Sequence, residues 1–132
     1  MLQVVVAVIR DKDDQILITQ RAKGKHQGEK WEFPGGKIEQ SEFALQALRR
    51  ELDEELGIQI TTATPFMQLE HHYAELSVFL DIYEVRKWQG KAYGKEGQAI
   101  YWVNKETIKN YTFPDANKAI LKALEGEWLK GK

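Results

Sequence analysis

The chain contains no cysteine in its 132 residues. Disulfide bridges, thiol nucleophiles and cysteine zinc sites are thereby excluded together. It also lacks a surplus of either charge: 19 Lys and Arg stand against 20 Asp and Glu, for a net charge of −1. A duplex nucleic-acid binder normally carries a basic excess, so no stable nucleic-acid partner is expected. No hydrophobic run is long enough to cross a membrane. The apolar start, MLQVVVAVI, is too short for a span and lacks the charged leader and small-residue cleavage site of a secretion signal, so it reads as a strand. No repeat, low-complexity tract or linker is present. What is there is 42% apolar residues and 11% aromatics, enough to bury one core. The expectation is one domain over residues 1–132, soluble, cytoplasmic, monomeric and not bound to membrane.

Residues 3–9 form a continuous β-branched run, which predicts a strand buried on both faces. Asp11 to Gln15 is turn chemistry and residues 16–20 a second strand, so the two are expected to pair. Residues 21–30 read as a surface loop, Trp31–Phe33 as a short strand, and Pro34-Gly35-Gly36 as a sharp bend. A helix is expected from about Glu42 to Leu56, with Ser41 as N-cap and Gly57 as its stop. Further strands are expected at 58–63, 66–72, 76–85 and 99–103, a loop with four basic residues at 86–98, and a last helix over 115–129. The adjacent pair His71 and His72 is read as strand residues pointing to opposite faces, not as a metal site. Trp31, Trp88, Trp102 and Trp128 are assigned mostly to core or rim packing. This alternation indicates an α+β or α/β sandwich.

The helix at 42–56 has an unusual acidic group. On a wheel of about 100° per residue, Phe43, Ala44, Ala47, Leu48, Leu52 and Leu56 share one arc, opposite Glu42, Gln46, Arg49 and Asp53. Glu51, Glu54 and Glu55, at i, i+3 and i+4, project together within the apolar arc. A glutamate run is ordinarily a solvated surface, but that places these three on the wrong side. Carboxylates crowded on a partly buried face repel one another and lose solvation. Arg50 is expected to pair with one of them, which does not balance three acids. A divalent cation does, and Mg²⁺ or Mn²⁺ prefers clustered carboxylates with water. Such an ion binds substrate phosphates as well, so the implied chemistry is attack of water on phosphorus, with a carboxylate taking the proton. Gly35 and Gly36 allow a tight bend before the helix, where a backbone carbonyl can also reach a metal.

The segment from Gly36 to Ile58, GKIEQSEFALQALRRELDEELGI, fits G-x5-E-x7-R-E-aliphatic-x-E-E-x-G-aliphatic at every fixed position: Gly36, Glu42, Arg50, Glu51, Glu54, Glu55 and Gly57, with Leu52 and Ile58. Chance agreement is on the order of 10⁻⁹ from typical residue frequencies. This pattern resembles the Nudix box of hydrolases that cut a diphosphate linked to another group. Over about residues 3–124 the chain resembles one branch, the MutT-type nucleotide pyrophosphohydrolases, through EFPGGKIE (32–39), WQGKAYGKEGQ (88–98) and FPDANKAI (113–120).

The resemblance implies the Nudix fold, a mixed β-sheet sandwiched between α-helices. It implies Mg²⁺-dependent hydrolysis of a nucleoside triphosphate to monophosphate and pyrophosphate, Mn²⁺ substituting. In this branch the preferred substrate is 8-oxo-dGTP, so the implied role is avoidance of A·T to C·G mutation. It places the metal on Glu51, Glu54, Glu55, Glu96 and the carbonyl of Gly35. The general base is Glu51 or Glu96, Arg50 orients the glutamates, and Glu42 caps the helix start. Asn117 matches the branch's purine-reading asparagine, whose amide offers both a donor and an acceptor. Phe33 lies beside the base, Arg21 and His26 near the nucleotide, and Gly36, Lys37 and Leu76 complete the substrate-binding set. One departure stands out: Tyr73-Ala74-Glu75-Leu76 replaces the branch's aromatic-proline-acid-arginine run that helps enclose the base. It leaves the catalytic implication intact and weakens the one about guanine. It keeps open a second reading, a Nudix hydrolase for CTP or dCTP, a pterin triphosphate or a sugar nucleotide. A third reading, a non-catalytic nucleotide-binding module, is disfavoured because the box glutamates are retained. The four basic residues of 86–95 suit a triphosphate better than a duplex.

Overall fold

Strand β1 (Leu2–Ile9) runs through the middle of the molecule. Val6 and Val8 point into one apolar cluster, and Val5, Ala7 and Ile9 into another. Because successive strand residues face opposite ways, a strand covered on both sides has no use for polar alternation, which accounts for the β-branched run. The computed structural model describes residues 1–21 and 30–130.

The order after β1 is β2 (Ile16–Gln20), β3 (Trp31–Glu32), β4 (Gly35–Lys37), α1 (Ala44–Leu56), β5 (Gln59–His72), β6 (Ser77–Gln89), β7 (Ile100–Val103) and α2 (Lys118–Lys130), with 3₁₀ turns at Thr107–Asn110 and Asp115–Asn117. A four-stranded sheet has the order β4-β1-β6-β5, and a three-stranded sheet the order β3-β2-β7. β1 and β6 run parallel, from Leu2 opposite Val78 to Ile9 opposite Val85, and the remaining ladders are antiparallel. Helix α1 covers one side through Ala47, Leu48, Leu52 and Leu56. Helix α2 covers the other through Ile120 and Leu124. This is the mixed α+β sandwich expected from the sequence.

Several details differ from expectation. β1 and β2 are not ladder neighbours and meet only at the Arg10–Ile16 bridge. Both edges of β1 are taken, by β4 and β6, and the Asp11 carboxylate accepts the Asp13 and Gln15 amides, turning the chain toward the other sheet. The strands expected at 58–63 and 66–72 are one, β5, broken by three register shifts. β5 is an edge strand, and one of the shifts falls between Pro65 and Met67, a place where a proline is tolerated in a sheet. Residues Arg86–Gln89 extend β6 and are not loop. Ser41 is not the N-cap. It adopts φ 71°, Phe43 occupies the cap, and Gln46 accepts the Phe43 N–H at 2.8 Å. Gly57 does stop α1, with φ 68° and its N–H on Asp53 O at 3.1 Å. The last helix starts later than expected, behind the Asp115–Asn117 turn.

The tryptophans pack as expected. Trp31 stacks on Tyr101, Trp88 stacks on Trp102, and Trp128 lies against the α2-side core. His71 meets the Tyr73 ring edge-on, while His72 bonds Ser77, so the two histidines do not converge. Arg10 is buried and ion-pairs with Glu84 at 2.7 Å and with Glu127, tying α2 to the sheet.

Leu52 is fully buried and lies on the same helix as the acidic residues. Leu52→Ala should destabilise the fold by about 3 kcal/mol through lost burial plus the cavity left behind. The measurement is the urea midpoint at unchanged m-value. A loss under about 1 kcal/mol would show that the α1 side of the core is loosely packed.

Candidate active site

The acidic face of α1 is held at both ends. At its C-terminus the last carbonyls have no partner within the helix. The 93–98 segment supplies partners: Tyr93 N–H donates to Leu56 O at 3.1 Å, Lys95 N–H to Glu55 O at 3.0 Å, and Lys95 Nζ to Asp53 O at 3.2 Å. Gln98 uses both ends of its amide. Nε2 donates to Glu55 O at 2.9 Å and Oε1 accepts the Glu96 N–H at 3.0 Å. Glu96 is thereby fastened beside the acidic helix, by a bond between residues 43 positions apart in sequence.

Arg50 spreads its guanidinium over several acids. Nε and Nη2 reach Glu42 at 2.8 and 2.9 Å, Nη1 reaches Glu51 at 3.0 Å and Glu54 at 2.9 Å, and Nη2 also donates to Lys37 O at 3.0 Å. The hydrogen bond from Arg50, followed by that from the Glu39 amide, holds the Glu42 carboxyl down at about 2. The same contacts, Glu42 first, hold Arg50 firmly protonated. Arg50 therefore orders the glutamates, through more partners than the one expected.

Glu55 is different. Its Oε2 is buried without a hydrogen-bond partner. Burial, then a hydrogen bond with Glu51, then the charges of Glu51, Glu32 and Glu96 push its carboxyl well above the usual range. β4 closes the group from the other side. A methyl group on Gly36 would overlap the Glu51 carboxyl, and one on Gly35, at φ 155°, would overlap the Val5 carbonyl. These two glycines are where the close approach requires no side chain.

A cleft of about 980 Å³ is lined both by this group and by Tyr73, Leu76, Ala116 and Asn117. Its lining brings together Arg21, Phe33, Gly35, Gly36, Lys37, Glu51, Glu55, Leu76, Glu96 and Asn117 from the expected set. Of the other expected residues that the structure describes, Arg50 and Glu54 do not line it. Glu54 does not line the cleft and its side chain is 52% exposed on Arg50, which corrects the view that all three box glutamates face inward. Among the described residues, no three acidic or histidine side chains form a group that holds a metal by itself. His26 lies outside the described residues. The basic residues of 86–95 also do not line the cleft: Arg86 pairs with Glu84, and Lys95 caps α1. Among the described residues, the cations that do line it are Arg21, bonded to Glu32 at 2.6 Å, and Lys37.

Sequence reasoning missed Glu32, Tyr73 and Gln98 as cleft residues. Glu32 sits two residues from Pro34 in a segment already singled out, and Gln98 ends the segment that carries Glu96. Tyr73 belongs to the departing run, where only the loss was weighed.

A NUDIX domain model matches residues 5–123. The chain belongs to the NUDIX domain family. An 8-oxo-dGTP diphosphatase of Escherichia coli K12 is 39% identical over 94% of this chain and 96% of its own length. A CTP pyrophosphohydrolase of the same organism is 35% identical over 94% of this chain and 91% of its own length. A solved MutT structure, from a study of Aliivibrio salmonicida and Vibrio cholerae, superposes with TM-score 0.84 at 35% identity, covering 96% of this chain and 98% of that one. The architecture is therefore the Nudix fold.

Nudix hydrolases need a divalent metal ion, and the residues present fit one. A buried carboxyl oxygen without a partner, beside a second carboxyl and in the field of two more, offers hard oxygen donors whose repulsion a dication relieves. Glu51 and Glu55 are the pair positioned to do so.

Gly36→Ala should displace the Glu51 carboxyl while leaving the core intact. Nucleotide hydrolysis should fall about 100-fold, as expected for a misplacement near 1 Å, with little change in Tm. Near-normal turnover would mean that Glu51 tolerates displacement and does not need its observed position.

Proposed function

We propose that this chain hydrolyses 8-oxo-dGTP to 8-oxo-dGMP and pyrophosphate with Mg²⁺, as a monomer in the cytoplasm, removing an oxidised precursor from the nucleotide pool. The observation that carries the reading is the unpartnered Glu55 oxygen at one end of a cleft whose other end presents Asn117, Phe33 and Leu76. One end suits a triphosphate with its metal, the other a base.

Glu51 and Glu55 are assigned to the metal, with Glu96 and the Gly35 carbonyl beside them. Glu54, hydrogen-bonded to Arg50, completes the acidic group from the solvent side. The ion, when bound, neutralises phosphate charge and acidifies water. Water adds to a phosphorus, the α–β phosphoanhydride bond breaks to give the monophosphate and pyrophosphate, and Glu51 or Glu96 takes the water proton. Arg50 keeps Glu51 aimed through its 3.0 Å bond. Lys37 and Arg21 offer positive charge to the phosphates. Phe33, stacked on Phe113 with centroids 5.4 Å apart, gives the base a rigid apolar wall. Asn117 reads the purine edge through its amide.

A second reading is supported by a specific feature. The relative named CTP pyrophosphohydrolase is nearly as similar as the 8-oxo-dGTP diphosphatase, and the 73–76 run departs from the MutT pattern. Turnover of a nucleotide panel with Mg²⁺ separates the two. The expected result is kcat/KM for 8-oxo-dGTP at least about tenfold above that for dGTP or CTP, the scale on which a few polar contacts discriminate. Preference for CTP would move the chain to the second reading. No turnover with Mg²⁺ or Mn²⁺ would leave a nucleotide-binding module.

Asn117→Ala should weaken 8-oxo-dGMP binding about tenfold or more while changing dCMP binding less than about twofold, since one paired amide is lost only to the purine. Equal loss for both products, measured by calorimetry, would remove Asn117 from base reading.

A further inference from the structure

Asn117 is the third residue of a 3₁₀ turn that opens on Pro114 and has no side-chain cap. The first amides of a helical turn have no partner within it. Asn117 N–H reaches Pro114 O at 2.9 Å. The preceding amide, on Ala116, is buried with its residue at 5% exposure and takes its acceptor from a distant element: it donates to the hydroxyl of Tyr73 at 3.0 Å. Tyr73 is in turn fixed. Its own N–H donates to Leu76 O at 2.8 Å, closing the tight connection between β5 and β6, and His71 meets its ring edge-on at 4.5 Å. Tyr73, Leu76, Ala116 and Asn117 all line the same end of the cleft.

The geometry points to Tyr73 as a positioning residue for base recognition: its hydroxyl caps the Asn117 turn and holds that amide side chain at a fixed depth in the cleft. The inference rests on the reading of Asn117 as the base-contacting residue. The work is done by the hydroxyl oxygen and not the ring, because only an oxygen accepts from the Ala116 amide. It also ties the β5–β6 connection to the start of α2, so both walls around the base move as one. An alanine-glutamate pair at 74–75 then suffices in that connection, since the tie is made by Tyr73.

Tyr73→Phe removes the oxygen and keeps the ring, so the fold is retained. Three measurements test the role. Hydrogen exchange at the Ala116 amide in the free protein should speed up about tenfold, the scale of one lost buried hydrogen bond, with the Leu124 amide unchanged. Binding of 8-oxo-dGMP should weaken about fivefold, and dCMP binding and kcat should change less than about twofold. In an Asn117→Ala background the same change should weaken 8-oxo-dGMP binding less than about twofold further, because the two residues act through one contact.

Unchanged Ala116 exchange, or equal weakening for both products, or full additivity with Asn117→Ala, would overturn the inference. If Asn117→Ala weakens purine binding and Tyr73→Phe does not, the cap fails alone and the base-reading assignment stands. If Asn117→Ala leaves purine binding unchanged, both fail together.

Discussion

The Glu55 carboxyl is removed from water next to Glu51, and Arg50, the cation best placed to relieve them, is occupied by Glu42, Glu51 and Glu54. Burial alone disfavours the charged form, and adding carboxyls at Glu51, Glu32 and Glu96 disfavours it further. Left to itself such a group is a liability, since an unpaired buried charge costs several kcal/mol. The surrounding structure nonetheless holds it in place. Gly36 leaves the space that the Glu51 carboxyl fills, Leu52 and Leu56 anchor the helix from behind, and the 93–98 segment fixes its end. That much restraint on a repulsive cluster is understandable if the cluster is used with positive charge supplied from outside the chain.

The restraint divides between two cores. α1 and its acids stand on the cluster containing Val5, Ala7 and Ile9. Phe33, Ala116, Tyr73 and Leu76 belong to or pack on the cluster containing Val6 and Val8. β1 contributes alternate side chains to both, so its backbone is the reference that fixes the distance between the acidic group and the Asn117 turn, the proposed phosphate and base ends. A shift of β1 would therefore change the fit to a nucleotide even though its core side chains are apolar.

Much of this was legible in sequence. The period of α1 gave its boundary to within two residues, because burial of Leu48, Leu52 and Leu56 dominates. Gly57 was legible because a left-handed stop needs glycine. Ser41 was misread because capping propensity is a local preference, and here Gln46 satisfies the first amide from inside the helix instead. Glu54 was misread because helical phase gives a direction for Cβ, while a long side chain can turn toward Arg50. The pairing of β1 with β2 failed for a tertiary reason: β4 and β6 claim its edges first. Tyr73 and Gln98 were invisible because their partners, Ala116 and Glu55, are 43 positions away in each case. Hydrogen bonds over such separations leave no periodic trace.

On the proposed reading, chemistry and selectivity stand on different cores, which has a consequence for how such proteins diverge. Substitutions around the Asn117 turn or the 73–76 connection repack the α2-side cluster and leave Glu51, Glu55 and Arg50 on the other. A base pocket can then change while the hydrolytic end is kept. Relatives named for 8-oxo-dGTP and for CTP stand at 39% and 35% identity to the same chain. Overall similarity is therefore a weak guide to which base is preferred. On the proposed reading the discriminating contacts are the few at the α2-side end of the cleft, where the hydroxyl of Tyr73 ties the β5–β6 connection to the Asn117 turn through one hydrogen bond from a backbone amide.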